Sequence, residues 1–260
     1  MKNPKIKICV ATHKKYKMPS DDIYLPIQVG AKGKEDIGYT RDDSGENISE
    51  MNSKCCELTG MYWLWKNVDA DYYGLVHYRR HLSNGKRSEN PYDKVLGSER
   101  LRELLEKDNI ILPKKRNYYI DTLYNHYSNT HYAEHLDVTR DILQEMCPEY
   151  VEQFDISMKR TYAHMFNMFI MKKNVFQEYC EWLFPILFEL DKRVDVSEYD
   201  AFQRRYLGRV SELLLDVWLD KNNLTYKEVP TVAMEKMDWS RKISSFLKAK
   251  FFKKKYGSSF

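Results

Sequence analysis

Residues 77–80 set a histidine, a tyrosine and two arginines in a row, His77-Tyr78-Arg79-Arg80, directly after the apolar run Tyr72-Tyr73-Gly74-Leu75-Val76. Two guanidinium forks at a fixed place suit a diphosphate, because each can donate two parallel hydrogen bonds to phosphate oxygens. A solvated strand end is the plainer reading. The anion reading gains from the strand, which delivers the cluster to the carboxyl edge of a sheet, where α/β proteins bind ligands. His77 and His81 are four residues apart, a metal spacing only on a helix, and a strand context speaks against it.

A second group, Thr12-His13-Lys14, follows another β-rich run at residues 5–10. Its hydroxyl and cation could hold a nucleotide or simply mark a strand exit. A third, His126, His131, His135 and Asp137, lies in YNHYSNTHYAEHLDV. The spacings match no zinc pattern and no thiolate is near. A polar acceptor pocket and a solvated loop are the two readings. The fourth is Glu212, set in the apolar run Val210-Ser211-Glu212-Leu213-Leu214-Leu215. A carboxylate there must be paired or functional, and burial would move it toward the range of a general base. A salt bridge to Arg205 or Arg209 is the structural alternative.

The elements that must position these groups alternate. Strands are expected over residues 5–10, 72–76, 109–112, 161–171 and 225–232, by apolar, β-rich runs, and residues 24–31 read as a short strand opening into a glycine turn. Helices are expected over 55–67, 101–105, 137–145, 175–190 and 206–222, by apolar residues at helical spacing such as Leu58, Met61, Tyr62 and Trp65. Residues 16–53 are rich in turn formers around Gly30, and a loop of that length suggests a lid or a substrate rim. The alternation predicts an α/β fold with a mostly parallel central sheet flanked by helices.

The chain has 260 residues, 43% hydrophobic and 31% charged, which fits one folded α/β domain with extensions and excludes a disordered chain. Five scattered cysteines, Cys9, Cys55, Cys56, Cys147 and Cys180, form no CxxC pair and are expected as reduced thiols of a cytoplasmic protein. No apolar stretch reads as a signal peptide or a membrane span. The net charge of +4 hides an asymmetry. From Arg241 onward there are seven basic residues and no acidic one, so the rest of the chain carries −3. That confinement argues against a nucleic-acid face. With Ile243, Phe246, Leu247, Phe251 and Phe252 interleaved, residues 241–260 read as a basic amphipathic helix for an anionic membrane surface.

Taken together, the segments ATHK (11–14), YLPIQVGA (24–31), NIS with NSKCCELTGMYWLWKN (47–67), GLVHYRRHL (74–82), the HY…H…DV region (126–138), NMFIMKKNVFQEYCEWLFPILFEL (167–190) and RYLGRVSELLLDVWL (205–219) resemble a family of small bacterial transferases of exopolysaccharide, capsule and lipopolysaccharide biosynthesis. That family has long been described only as a domain of unknown function, and some members are galactofuranosyltransferases. The resemblance covers about nine-tenths of the chain in the expected order.

It implies a single GT-A-like, Rossmann-like domain over residues 1–240, followed by the basic extension at 241–260. It implies that Thr12, His13, Gln28, Gly30, Asn52 and Lys54 line a nucleotide pocket. The HYRR segment falls where related folds carry an Asp-x-Asp metal motif, and here no acidic pair stands there. With Tyr78 beside them, Arg79 and Arg80 would hold the donor, His131 would add a contact, and His77, Glu212 or Asp137 would serve catalysis. Asp42 and Asp43 stay open as alternatives. The family's HYRRYF is HYRRHL here and its SERLL is SELLL, so Glu212 lacks an adjacent arginine.

The resulting expectation is an inverting hexosyltransferase, of galactofuranosyl from a UDP-sugar to a lipid-linked glycan acceptor. It would act on the cytoplasmic face of the inner membrane, with no required cofactor and no nucleic-acid partner, while Mn or Mg stays open. The alternative class is a non-catalytic nucleotide-sugar or glycan-binding scaffold of a polysaccharide assembly complex.

Overall fold

The computed structural model describes residues 3–235, so the basic segment 241–260 lies outside the described residues. Contacts group the described residues into two units. The first holds residues 3–114, Phe166–Trp182 and Leu224–Glu235, and the second holds residues 115–165 and Leu183–Asn223.

The first unit is built on a sheet. Its strands in chain order are β1 (Ile6–Thr12), β2 (Tyr24–Gln28), β3 (Thr40–Arg41), β4 (Tyr72–His77), β5 (Arg80–Leu82) and β6 (Ile110–Pro113). In the second unit, β7 (Arg116–Asn117) and β8 (Tyr162–Ala163) form a separate ribbon. β9 (Phe169–Lys172), β10 (Lys227–Val229) and β11 (Thr231–Ala233) complete the main sheet. Its order is β10-β6-β9-β4-β1-β2-β3, with β5 on β4 and β11 on β5. β3, β2, β1, β4, β6 and β10 run the same way and β9 alone opposes them. The sheet along this path is thus mostly parallel.

β1 sits in the middle and is buried on both faces, which is why it reads as a near-continuous apolar run. One face carries Ile6, Ile8 and Val10 and packs with Leu101, Leu104 and Leu105 of α3 (Ser98–Leu105). Burying each such leucine contributes roughly 1.5–3 kcal/mol. On the other face, Gly60 of α2 (Leu58–Asn67) lies against Cys9 and Val29. A short helix, α1 (Asn52–Cys55), precedes α2, and the helix expected over 55–67 breaks at Cys56, whose φ is 53°.

In the second unit, α5 (Glu134–Met146) and α6 (Val151–Met158) pack against α8 (Tyr206–Lys221), and α4 (Leu123–Thr130) packs against α6. Twelve of the 16 residues of α8 are buried, which makes it the central helix of this unit. α7 (Lys173–Arg193) gives its first ten residues to the first unit and the remainder to the second.

Three further expected elements differ. The strand predicted over 161–171 is two strands, β8 and β9, separated by consecutive left-handed residues, Phe166 (φ 79°) and Asn167 (φ 51°). The strand predicted over 225–232 divides at Pro230, whose missing N–H and fixed φ cannot continue a ladder. The loop expected around His126 is helix α4, whose first turn is capped by the Thr122 hydroxyl accepting from Asn125 N at 3.1 Å. Among the described residues, no helix is long and apolar enough to cross a membrane.

Candidate functional site

β2, β1 and β4 are neighbours, and their carboxyl ends fall level. Thr12 is the register partner of Gln28, and Ala11 that of His77. The ladder carries on past the strands through Val29 N to Thr12 O (2.9 Å) and Tyr78 N to Ala11 O (3.2 Å). Residues 12–14, 28–30 and 77–80 therefore share one edge. His77 pairs with Arg80, which makes Tyr78-Arg79 the two-residue turn of a hairpin. β11 binds the far side of that hairpin, and Met234 N donates to Arg79 O at 2.9 Å.

The Tyr78 ring is buried and forms the floor of the edge. The rings of His13 and Tyr16 meet it edge-on at 5.3 and 5.0 Å. Lys14 Nζ lies 5.4 Å from its centroid, and the Arg79 guanidinium 5.1 Å. Arg79 Nη1 is 3.6 Å from a Glu235 carboxylate oxygen, and the Tyr16 hydroxyl donates to the other oxygen at 3.1 Å. Burial and that hydrogen bond push the Tyr16 hydroxyl up to about 12. Glu235 thus places a carboxylate against Arg79, where an anionic ligand of that arginine would sit.

Arg80 meets a second ring. Its guanidinium centre lies 3.8 Å from the Phe166 ring centroid. His77 Nε2 donates to the Phe166 carbonyl at 2.6 Å, because a carbonyl can only accept, so the proton of neutral His77 is on Nε2. Asn167 Nδ2 donates to the buried Glu57 carboxylate at 2.7 Å. Two consecutive non-glycine residues with positive φ cost about 1–3 kcal/mol each. Here they bring one carbonyl and one ring onto the two outer residues of the hairpin.

The other residues of this edge are held by the backbone. The Thr12 hydroxyl donates to Lys14 O at 2.6 Å. The Gln28 amide donates to Glu35 O (2.7 Å) and accepts from Ile37 N (3.2 Å), which fixes the loop after β2. Gly30 has φ 62°, and a Cβ there would lie 2.4 Å from the Asn52 side chain, so only glycine fits. Asn52 itself donates to Cys56 O at 2.7 Å. Lys54, in the last turn of α1, is half-buried. Asp42 is fully buried and accepts from Gly30 N, Ala31 N and the Ser49 hydroxyl at 2.7, 2.9 and 2.5 Å. Asp43 is clasped by Arg41 at 3.1 and 2.7 Å, which holds its carboxyl below the usual range. Both aspartates are thereby committed to shaping the loop.

His131, Asp137 and Glu212 belong to the second unit. His131 is buried and donates from Nδ1 to Gln203 Oε1 at 3.0 Å, and burial pulls its pKa down to about 2. His135 is fully buried, bonded to the Tyr127 hydroxyl at 2.9 Å and the Tyr199 hydroxyl at 3.0 Å. His126 lies against Tyr118, 4.1 Å between centroids, and burial lowers it to about 4. The solvated-loop reading of this segment is therefore replaced by a packed histidine–tyrosine network. Asp137 is exposed on α5 and accepts from the Tyr124 hydroxyl at 2.9 Å. Glu212 is half-buried on α8; burial above all, with a smaller push from the Glu212 charge, raises the Tyr127 hydroxyl. Among the described residues, no group of three or more His, Cys, Asp or Glu side chains is arranged to hold a metal ion.

No curated protein matches the chain. The model of a family described as a domain of unknown function, DUF4422, matches residues 7–223. The chain belongs to the DUF4422 family. Among solved structures, it is similar to the apo structure of the WbbM bifunctional glycosyltransferase, at 30% sequence identity and a TM-score of 0.82. That likeness covers 89% of this chain and 46% of that one, so the chain spans less than half the length of the protein it matches.

The DUF4422 match runs from β1 to the end of α8 and takes in the HYRR hairpin and Phe166, while Glu235 lies beyond it. Phe166, Asn167, Tyr16 and Glu235 were not legible as site residues. A polar break inside an apolar run, His164 and Asn167, was the available sign for the first two. A buried pair in the second unit was also missed: Asp216 accepts from His164 N at 2.9 Å and from its Nδ1. Asp216 stands among leucines in α8, much as Glu212 does, and that was its signal.

Proposed function

We propose that this chain is a glycosyltransferase that moves a hexosyl group, galactofuranosyl by preference, from a UDP-sugar to a hydroxyl of a growing cell-surface glycan. The observation that carries the reading is the cationic hairpin at the carboxyl end of β4, beside the end of β1, in a fold like that of a known glycosyltransferase. In the proposed step, the acceptor oxygen attacks the anomeric carbon and the bond from that carbon to the diphosphate breaks. UDP leaves with the electron pair, and the acceptor proton goes to a carboxylate. Arg79 and Arg80 balance the charge on the leaving diphosphate, a task that fixed cations perform without reorganisation. Divalent metal is not required in this proposal. Thr12, His13 and Lys54 are assigned to the donor, with Tyr78 beneath it.

Glu212 is the proposed proton acceptor, since it is half-buried whereas Asp137 is exposed. The lipid-linked acceptor, the cytoplasmic location and attachment to the inner membrane surface are part of the same proposal and rest on the seven basic residues after Ser240.

The test is calorimetric titration of UDP in EDTA, then with Mn²⁺, into wild type and the Arg79→Ala/Arg80→Ala variant. Losing two charge-assisted contacts, each about 1.5–3 kcal/mol, predicts a drop of at least a hundredfold in affinity. Binding that appears only with Mn²⁺ would remove the metal-free leaving-group role. Absence of binding in both conditions would remove the UDP donor. Binding without turnover on any donor would favour the scaffold reading.

A further inference from the structure

The second unit displays an apolar tip that the donor site does not use. Residue Tyr119 is 81% exposed and Ile120 60%, and Tyr162, the strand partner of Asn117 two residues before Tyr119, is 38% exposed. A single exposed apolar side chain is ordinary, but three together ask for an occupant. The backbone holds them there. Asn117 pairs with Tyr162 across β7 and β8, and Tyr118 N and Leu123 N donate to Thr161 O and Arg160 O, both at 2.7 Å. Tyr118 turns inward and is buried against His126. Tyr119 takes a left-handed conformation, φ 58°, steadied by its N–H on Asn117 Oδ1 at 2.7 Å. Ile120 N then closes on Tyr118 O at 2.6 Å. The turn buries one ring as an anchor and directs the next two side chains outward.

Cations flank the tip. Residues 115–123 and 159–163 hold Lys115, Arg116, Lys159 and Arg160 against one carboxylate, Asp121. Lys115 Nζ lies 5.2 Å from the Tyr162 ring centroid, and Arg160 is paired with Asp220 of α8. A protruding tyrosine and isoleucine framed by lysines match the headgroup region of a bilayer: the apolar bodies enter the acyl boundary, the phenol tip stays wet, and the ammonium groups meet lipid phosphates.

We propose that the tip formed by Tyr119, Ile120 and Tyr162, with Lys115 and Lys159, docks on an anionic membrane surface. The proposal stands apart from the donor assignment and from the basic tail.

It is tested on the full chain by co-sedimentation with phosphatidylcholine vesicles, with and without phosphatidylglycerol. The tail is the same in every variant. Tyr119→Ser/Ile120→Ser is expected to weaken partitioning about tenfold at low and high salt alike. Lys115→Ser/Lys159→Ser is expected to weaken it about tenfold at low salt and little at high salt, where exposed charges are screened. Unchanged thermal melting confirms that both variants fold. Wild-type partitioning matched by both variants would overturn the proposal, as would failure of wild type to bind anionic vesicles. A wild-type dimer that Tyr119→Ser/Ile120→Ser dissolves would overturn it too, by making the tip a contact between copies.

Discussion

Residues 77–82, HYRRHL, and residues 126–135, HYSNTHYAEH, both set histidines beside tyrosines and end in different settings. The first follows a buried strand into a hairpin turn, so its cations and rings collect at the sheet edge around Tyr78. The second is wound onto α4 and the start of α5, so His131 and His135 turn inward and bond to Gln203, Tyr127 and Tyr199. Histidine beside tyrosine is common to both, while the two arginines belong to the first alone and the element differs. A strand end presents successive side chains at an edge, whereas adjoining helices fold one side of the segment against α8. His81 crosses the line between the two. It lies in the first stretch yet is fully buried beside Tyr24, with no hydrogen-bond partner on either ring nitrogen.

The largest effect that would sharpen this contrast is on stability. His135→Ala leaves two phenol hydroxyls without a partner and opens a cavity among Tyr127, Tyr199 and Tyr206. A stranded buried polar group costs about 1–3 kcal/mol, so denaturant unfolding should show a loss of about 3 kcal/mol or more. UDP affinity should stay within twofold, to order of magnitude, because the residue holds a core and not a ligand. Retained stability with lost UDP binding would place the two stretches in one functional class.

Acid should act through the same buried rings. Burial lowers His81 and His126 to about 4 and His131 to about 2. The unfolded chain takes up these protons near pH 6.5 and the folded chain does not, so below 6.5 the unfolded state binds more protons. Stability contributed by these groups is complete above that pH and falls as the pH drops through 6 and 5. The slope is about 1.4 kcal/mol per pH unit for each histidine. Urea midpoints at pH 7.5 and 5 measure it. His81→Phe should remove one histidine's share of the slope without loss at neutral pH, since it gives up no hydrogen bond. A slope unchanged by that variant would mean that His81 takes up its proton in the folded state.

A smaller effect tests the hairpin's support. Phe166→Leu keeps the apolar bulk and removes the ring beneath Arg80. A cation–π contact of about 0.5–2 kcal/mol predicts UDP binding weakened about three- to tenfold. Phe166→Tyr should restore it. A full effect in Phe166→Leu that Phe166→Tyr does not rescue would point to backbone strain at residues 166 and 167 instead of the ring.

The frame of the site was legible in the sequence where one element carried it. Runs at 5–10 and 72–76 ended in polar clusters, and both became central parallel strands with those clusters at their carboxyl ends. What escaped depended on residues far away in the chain. Asparagine, as at Asn167, tolerates the left-handed region, but nothing local marks Phe166 for it. Their conformation is held by bonds to His77 and Glu57, 89 and 110 residues distant. The inward turn of His131 and His135 likewise needs Gln203 and Tyr199, 72 and 64 residues on. Pro230, by contrast, was visible and could have divided the last strand beforehand.

Glu235 gives the finest test of what the exposed edge is for. Its carboxylate bridges Tyr16 and Arg79 beside the proposed diphosphate position. Both members of the ion pair are about half exposed, 52% for Arg79 and 48% for Glu235. Such a pair contributes about 1 kcal/mol at most, and salt screens it. A competing anion must displace this carboxylate, so Glu235→Gln should strengthen UDP binding, by about two- to threefold at low salt and less as salt rises. The histidine–tyrosine network should be indifferent, with unfolding midpoints unchanged. Weaker UDP binding in Glu235→Gln would mean that Glu235 orients Arg79 for the ligand. The edge would then be a preassembled pocket that keeps its acid on binding, not a charged surface that exchanges one anion for another.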